Sequence, residues 1–447
     1  MDDYRLVADA VAAEIAAGRL RPGDRLAPQR DFARARGIAN STAARVYKEL
    51  VRRGLVVGEV GRGTFVRSAD RAPEPALAEP AQAGVDLELN LPIVPGQAEL
   101  LAAGLRRFQR PDVLGAALRP AGATGTPAAR EAAAGLLAHG GGWRPDPAAL
   151  RFTGSGRQAI AAALSALVPA GERLAVEAHT YPVVKSLAAR LGIVPVPVEV
   201  DEHGLDPDAL AAAHRTAPVR AVYVQPTLHN PSSATMPAAR RAALADVLRR
   251  HGVRAVEDTI WAFLPDEAPP PLASFAPDRT ILVDSLSKRL APGLTTGFAV
   301  VPPDVIDAFT SAVRSGAWLP AGLALDAATG WINDGTVAEI TARKRADVVA
   351  RQAILTETLT GFRLRTDPRS YFCWWDLPAQ WRAETFVAAA ARRGIAVTPA
   401  AAFAVGNGGS PGAVRFGLAS PPPETLARAL GVLGSIARGT PDDAPVD

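Results

Sequence analysis

The sequence predicts an α/β protein of two unequal units, and three observations carry that reading. Residues 1–67 alternate helical apolar spacing with glycine punctuation and close on two short β-prone runs. Residues 68–86 are rich in Pro, Ala and Glu and have little apolar patterning. From Leu87 onward, strand-like apolar runs alternate with Ala-rich helical runs to about residue 440.

In the small unit, Leu6, Val7, Ala10, Val11 and Ile15 recur at helical spacing, and Gly18 closes that helix. Pro22-Gly23 is a turn. A second helix runs from Pro28 through Phe32 to Ala35 and is broken by Gly37. Ser41 caps a third helix with an apolar face of Val46, Leu50 and Val51, ended by Gly54. Residues 55–60 and Thr64-Phe65-Val66 then flank Gly61-Arg62-Gly63 as a hairpin. Helix, helix, turn, helix and hairpin make the layout of a winged helix-turn-helix.

Residues 68–86 read as a linker, partly extended and moderately stiff. In the large unit, the runs at 173–176, 221–224, 255–257 and 280–283 alternate with helices such as 238–251. That pattern predicts a mostly parallel sheet covered by helices on both faces. The smaller lobe lies mainly beyond about residue 335.

Net charge is +4, but residues 1–67 hold 13 basic and 8 acidic residues, a net of +5, which leaves −1 for the rest. A basic module ahead of a near-neutral body points to a polyanionic partner. No apolar run reaches the roughly 18 residues of a membrane helix. The opening MDDYRLVADAV lacks the apolar core of a signal peptide, so a cytoplasmic location is expected. The single cysteine, Cys373, excludes an intrachain disulfide and a cysteine-built metal site. The histidines show no metal-ligand spacing, and no metal is expected.

The stretch LAPQRDFARARGIANSTAARVYKELVRRGLVVGEVGRGTFV resembles the DNA-binding domain of the GntR family of bacterial regulators. The resemblance implies contact with double-stranded DNA through Arg30, through Asn40, Ser41, Thr42 and Arg45, and through Gly61, Arg62 and Gly63 in the wing. The chemistry agrees: Asn and Arg read base edges bidentately, and Ser and Thr mostly take phosphate oxygens.

In the large unit, Asp284-Ser285-Leu286-Ser287-Lys288 follows a buried strand and resembles the S-x-S-K segment of fold-type I pyridoxal-phosphate enzymes, the aspartate aminotransferase superfamily. There the lysine forms the Schiff base with the cofactor. Few lysines stand against many arginines in this chain, and a nucleophilic lysine needs surroundings that lower its pKa. The resemblance implies further cofactor contacts. Ser155, Gly156 and Arg157 would cradle the phosphate at a helix start, beside Ser285 and Ser287. Tyr181 would stack on the ring, Asn230 would bond its phenolic oxygen, and Asp258 would pair with its protonated nitrogen. Arg415, in Val414-Arg415-Phe416, would grip a carboxylate of the substrate or effector.

Taken together, the halves resemble the MocR subfamily of GntR regulators. That implies a fold-type I domain with large and small lobes, bound pyridoxal phosphate, and a small amino-compound effector. It also implies a homodimer in which each DNA module reaches over the partner's large domain. The sequence departs from the pattern at particular places. Thr295 stands where an arginine clamps the cofactor phosphate, with Arg289 as the alternative cation. Ile260-Trp261 replaces a tyrosine after Asp258, and Ser232-Ser233 follows Asn230-Pro231 in place of Thr-Gly. A tyrosine expected near residues 118–125 is absent. Losing a charge-assisted phosphate contact costs about 1.5–3 kcal/mol, which favours sensing over turnover. The alternatives are an active aminotransferase that keeps a DNA module, and a regulator that has lost the cofactor.

Overall fold

A computed structural model of the chain describes residues 4–16, 19–20, 24–52, 55–59, 63–66, 83–138, 142–406 and 411–440. It divides into two units, Met1–Glu74 and Pro75–Asp447.

In the first unit, helices span Tyr4–Ala16, Gln29–Arg36 and Asn40–Arg52, and strands Val56–Glu59 and Gly63–Val66 pair antiparallel. Gly37 ends the second helix in the left-handed conformation (φ 63°), which glycine adopts at little cost. Gly18 and Gly54, the other two helix stops, lie outside the described residues. The third helix starts at Asn40, so Ser41 sits inside its first turn and is not the cap. Residues 24–26 run beside the second hairpin strand, with Leu26 N–H donating to Thr64 O at 2.8 Å and Val66 N–H donating to Asp24 O at 2.8 Å. The sequence reading had only the hairpin there.

The core of this unit joins Ala8, Val11, Phe32, Val46, Tyr47, Leu50, Val56 and Val66. The first helix turns Val7, Ala8, Val11 and Ile15 inward, while Leu6 is 67% exposed; Val51 on the third helix is 49% exposed. The sequence places both on the apolar faces, whose flanks tolerate either position in so small a unit. Phe32 meets Tyr47 edge-on at 5.2 Å between ring centres. Phe32→Ala is expected to cost this unit about 3–5 kcal/mol. A calorimetric scan of the intact chain then shows its transition moving down while that of the large unit stays.

The second unit is built on a seven-stranded sheet. The spatial order is Leu150–Thr153, Gly297–Val300, Thr280–Ser285, Arg254–Asp258, Ala221–Val224, Arg173–Glu177 and Val194–Val198. Gly297–Val300 is antiparallel to both neighbours, and the other pairings are parallel. Strand alternation splits the side chains between two cores. Leu174, Val176, Tyr223, Val256 and Ile281 pack under the helices at 156–167 and 306–315. Ala175, Val222, Val224 and Ala255 pack under those at 207–216 and 238–251. With both faces covered, the strands read as continuous apolar runs.

The small lobe holds an antiparallel sheet in the order Arg363–Arg365, Phe372–Asp376, Ala413–Gly417, Thr398–Pro399. Its core centres on Trp375, which meets Phe362, Phe386 and Phe416 edge-on. The helix Thr336–Thr358 forms its spine, about 35 Å long at 1.5 Å per residue. Val85–Asp86 pairs in parallel with Ile395–Ala396, and Leu87 is buried in the small-lobe core. The assigned linker therefore ends earlier than residue 86, and the residues just after it belong to this lobe.

Candidate cofactor and effector site

Parallel strands deliver their carboxyl ends to one edge of the sheet, where a crevice opens. A cavity of about 480 Å3 lies there. Asp258 ends one strand, Ser285 ends the next, and Gln225 directly follows a third.

At one end of the cavity, Ser155 caps the helix Gly156–Leu167, its hydroxyl accepting from Gln158 N–H at 3.3 Å. A side chain at position 156 would come within 3.0 Å of Ser285 Oγ, so glycine is what lets the helix start approach the strand end. Ser285 and Ser287 hydroxyls lie 3.1 Å apart. Ser155, Gly156, Arg157, Ser285 and Ser287 all line the cavity. Oriented N–H groups, hydroxyls and one guanidinium make this end suited to an oxyanion. Thr295 also lines it, but its hydroxyl donates to Gly154 O at 2.9 Å.

Arg289 does not line this cavity. Its guanidinium donates to Asp284 Oδ2 at 2.9 Å and stacks on Phe263 at 5.2 Å, in the interior. Asp284 is a buried carboxylate that needs a cation, and the neighbouring arginine supplies it. The assignment of Arg289 to the cofactor is therefore corrected. Arg157, whose Nε lies 3.3 Å from the Tyr181 hydroxyl, is the guanidinium at this end.

In the middle of the cavity, Asp258 accepts from the Tyr223 hydroxyl at 2.6 Å, Gln225 Nε2 at 2.9 Å and Ile260 N–H at 3.1 Å. Burial raises its carboxyl to about 6 against the pull of those donors. Asn230 presents a buried Oδ1 that has no hydrogen-bond partner. Burial also lifts the Tyr181 hydroxyl above its ordinary range. Lys288 is the third residue of a short helix, Leu286–Arg289, directly after the strand Thr280–Ser285. Burial pushes its ammonium down to about 7, and the charges of Arg157 and Arg415 push the same way. Its Nζ donates to the carbonyl of Asn90 and lies 5.4 Å from the Trp261 ring centre.

At the other end, Arg415 sits on Ala413–Gly417, stacks on Phe403 at 5.1 Å and donates to Glu88 O at 2.7 Å. Burial lowers its guanidinium to about 10. Its Nε is buried without a partner, which leaves a donor for a carboxylate. The structure thus brings Lys288, Asp258, Asn230, Tyr181, Ser155, Gly156, Arg157, Ser285, Ser287 and Arg415 to one cavity.

Sequence reasoning missed Gln225 and Tyr223, the donors that hold Asp258. An inward-facing polar residue at the end of an apolar strand was the available signal. It also missed Glu88–Leu91, which line the cavity and carry no motif.

In the first unit, Asn40, Ser41 and Arg45 are exposed at the start of the third helix, Thr42 is half-buried, and Arg30 is exposed on the second. The Arg45 guanidinium stacks on Tyr4 at 4.2 Å. Gly63 opens the second hairpin strand, and Gly61 and Arg62 lie outside the described residues.

Comparison with known proteins places both units. The model for aminotransferase class I and II matches residues 116–433, and that for bacterial regulatory proteins of the gntR family matches residues 3–66. An uncharacterized HTH-type transcriptional regulator of Bacillus subtilis, YdeF, is 29% identical over 94% of this chain and 90% of its own. The probable rhizopine catabolism regulatory protein MocR of Rhizobium meliloti is 26% identical over 78% and 76%. Among solved structures, N-succinyldiaminopimelate aminotransferase from Mycobacterium tuberculosis superposes with a TM-score of 0.70 at 26% identity, over 79% of this chain and 93% of its own.

The second unit is a fold-type I aminotransferase domain, and the first is a GntR-type helix-turn-helix. The chain belongs to the MocR-type subfamily of GntR regulators, DNA-binding proteins that carry an aminotransferase-like domain.

Proposed function

We propose that this regulator holds pyridoxal phosphate at Lys288 and senses an amino compound whose carboxylate is taken by Arg415. The observation that carries the reading is a lysine amine held near pKa 7 inside a cavity whose other groups suit the rest of that cofactor. When bound, pyridoxal phosphate supplies an aldehyde for a primary amine and an electron-withdrawing ring.

The residues fit the group. Asn230 Oδ1 is a buried acceptor awaiting a donor, and none of the partners of Asp258 among the described residues is a cation. Asp258 would hold the proton on the ring nitrogen, with Tyr223 and Gln225 fixing the carboxylate. Ser155, Gly156, Arg157, Ser285 and Ser287 would hold the phosphate without the usual arginine. Tyr181 would cover the ring. Lys288 would hold the cofactor through its amine. Arg415 would orient that effector by its carboxylate.

The proposal includes a cytoplasmic homodimer that reads its operator through Arg30, Asn40, Ser41, Thr42 and Arg45, with Gly61, Arg62 and Gly63 in the wing. Arg45→Ala is expected to weaken operator binding by about 1–3 kcal/mol, measured by fluorescence anisotropy on a duplex selected from a random library. Equal weakening on all sequences would place Arg45 on phosphate, and loss at one base position would place it on a base edge.

An absorbance titration with pyridoxal phosphate tests the site. A visible band that forms on the native chain and is absent from Lys288→Ala supports it. A band that survives the substitution contradicts it. Transamination turnover at enzyme-like rates with an amino acid would instead favour an active aminotransferase.

A further inference from the structure

Residues 86–91 form a strap that follows the segment joining the two units in the sequence and crosses the cavity. Two of its backbone carbonyls occupy two of the cations that line the site, Lys288 and Arg415. Asn90 O accepts from Lys288 Nζ, and Glu88 O accepts from Arg415 Nη1 at 2.7 Å. Side chains pin the same strap to the small lobe. Asn90 Oδ1 accepts from Ala419 N–H at 3.2 Å. The Ser420 hydroxyl bonds Leu89 O at 2.7 Å and accepts from Leu91 N–H at 3.2 Å.

We propose that the strap is a placeholder, so that filling the site releases residues 86–91 and the strap reports occupancy to the chain that leads back to the DNA-binding unit. This rests on the reading of the site given above and adds its regulation.

The strap and the ligand draw on the same donors. An unreacted lysine amine offers two N–H donors when neutral and three when protonated. Condensation with an aldehyde expels one water, turns C=O into C=N and leaves the nitrogen at most one proton. Asn90 O, in a buried setting, is then left to compete for one donor at most, and a buried carbonyl that goes unpaired is costly. A carboxylate arriving at Arg415 would take the open Nε beside the Nη1 that Glu88 O already holds. The change at Lys288 is the one that weakens the hold on this short segment.

Among the described residues, the backbone pairing of this stretch is Val85–Asp86 with Ile395–Ala396, the bond from Leu87 N–H to Ala396 O at 3.0 Å, and that from Gly417 N–H to Leu87 O at 2.6 Å.

Hydrogen–deuterium exchange on the full chain, with and without pyridoxal phosphate, tests this beside the absorbance band. The expected result is exchange about tenfold faster in residues 85–91 once the band has formed. A formed band with unchanged or slower exchange there overturns the inference alone. Absence of a band overturns it together with the reading of the site.

Two variants add a sign. Asn90→Ala and the milder Ser420→Ala loosen the strap, and each is expected to tighten pyridoxal phosphate binding about three- to tenfold. A strap that merely supports the site would give weaker or unchanged binding in both, which contradicts the proposal.

Discussion

Asp258→Asn is expected to weaken pyridoxal phosphate binding by about 2–5 kcal/mol, on the order of thirtyfold to several thousandfold. The substitution keeps the shape of the side chain and removes its charge. A buried carboxylate facing a protonated ring nitrogen is a charge-assisted pair in a water-poor setting, where truncating one partner leaves the other unpaired. Tyr223 and Gln225 already donate to the carboxylate and stay in place. Burial holds Asp258 at about 6 without such a partner, and a bound cation draws it down. Binding should therefore release a proton near pH 6, since the group is partly protonated before and ionised after. Calorimetric titration in two buffers of different ionisation enthalpy measures that proton. Unchanged affinity in Asp258→Asn would remove the carboxylate from the cofactor site.

The second large effect concerns pH. Only the neutral amine attacks an aldehyde, and Lys288 titrates at about 7 against an ordinary 10.5. At pH 7 roughly half of it is neutral, against less than about one part in a thousand for a surface lysine. The rate of cofactor uptake should rise through pH 6–8 and level off above, where a solvated lysine would still be rising toward pH 10. The cause is burial first, then the neighbouring charges of Arg157 and Arg415. Stopped-flow absorbance across this range checks it. Arg157→Gln removes one of those charges and should move the midpoint upward.

The parts of the fold that were legible in the sequence are those in which one residue type answers one physical demand. Strands buried on both faces read as unbroken apolar runs, and Gly37 reads as a stop because the chain turns left-handed there. Lys288, Asp258, Asn230 and Arg415 stand out in the sequence because each sits in a recognisable triplet or longer motif. Arg289 was misplaced because side-chain direction on a four-residue helix is not readable from spacing, and buried Asp284 claims it. Glu88 and Asn90 were illegible for a different reason. They act through backbone carbonyls, which every residue has, and only the tertiary path of the strap brings them to Arg415 and Lys288. Leu6 and Val51 show the limit of periodicity in a small unit, where the flank of an apolar stripe can stay in water.

The same logic explains the tolerance of the cofactor end for Thr295. An arginine there is one way to balance a phosphate; helix N–H groups, three hydroxyls and Arg157 are another.

The central claim is that Lys288 is the residue that holds the cofactor, and reductive trapping tests it most directly. The native chain is mixed with pyridoxal phosphate, treated with borohydride, digested and mapped by mass spectrometry. The account predicts one stoichiometric adduct, on Lys288. An adduct on Lys48, Lys185 or Lys344 in its place, or none at all, would contradict it.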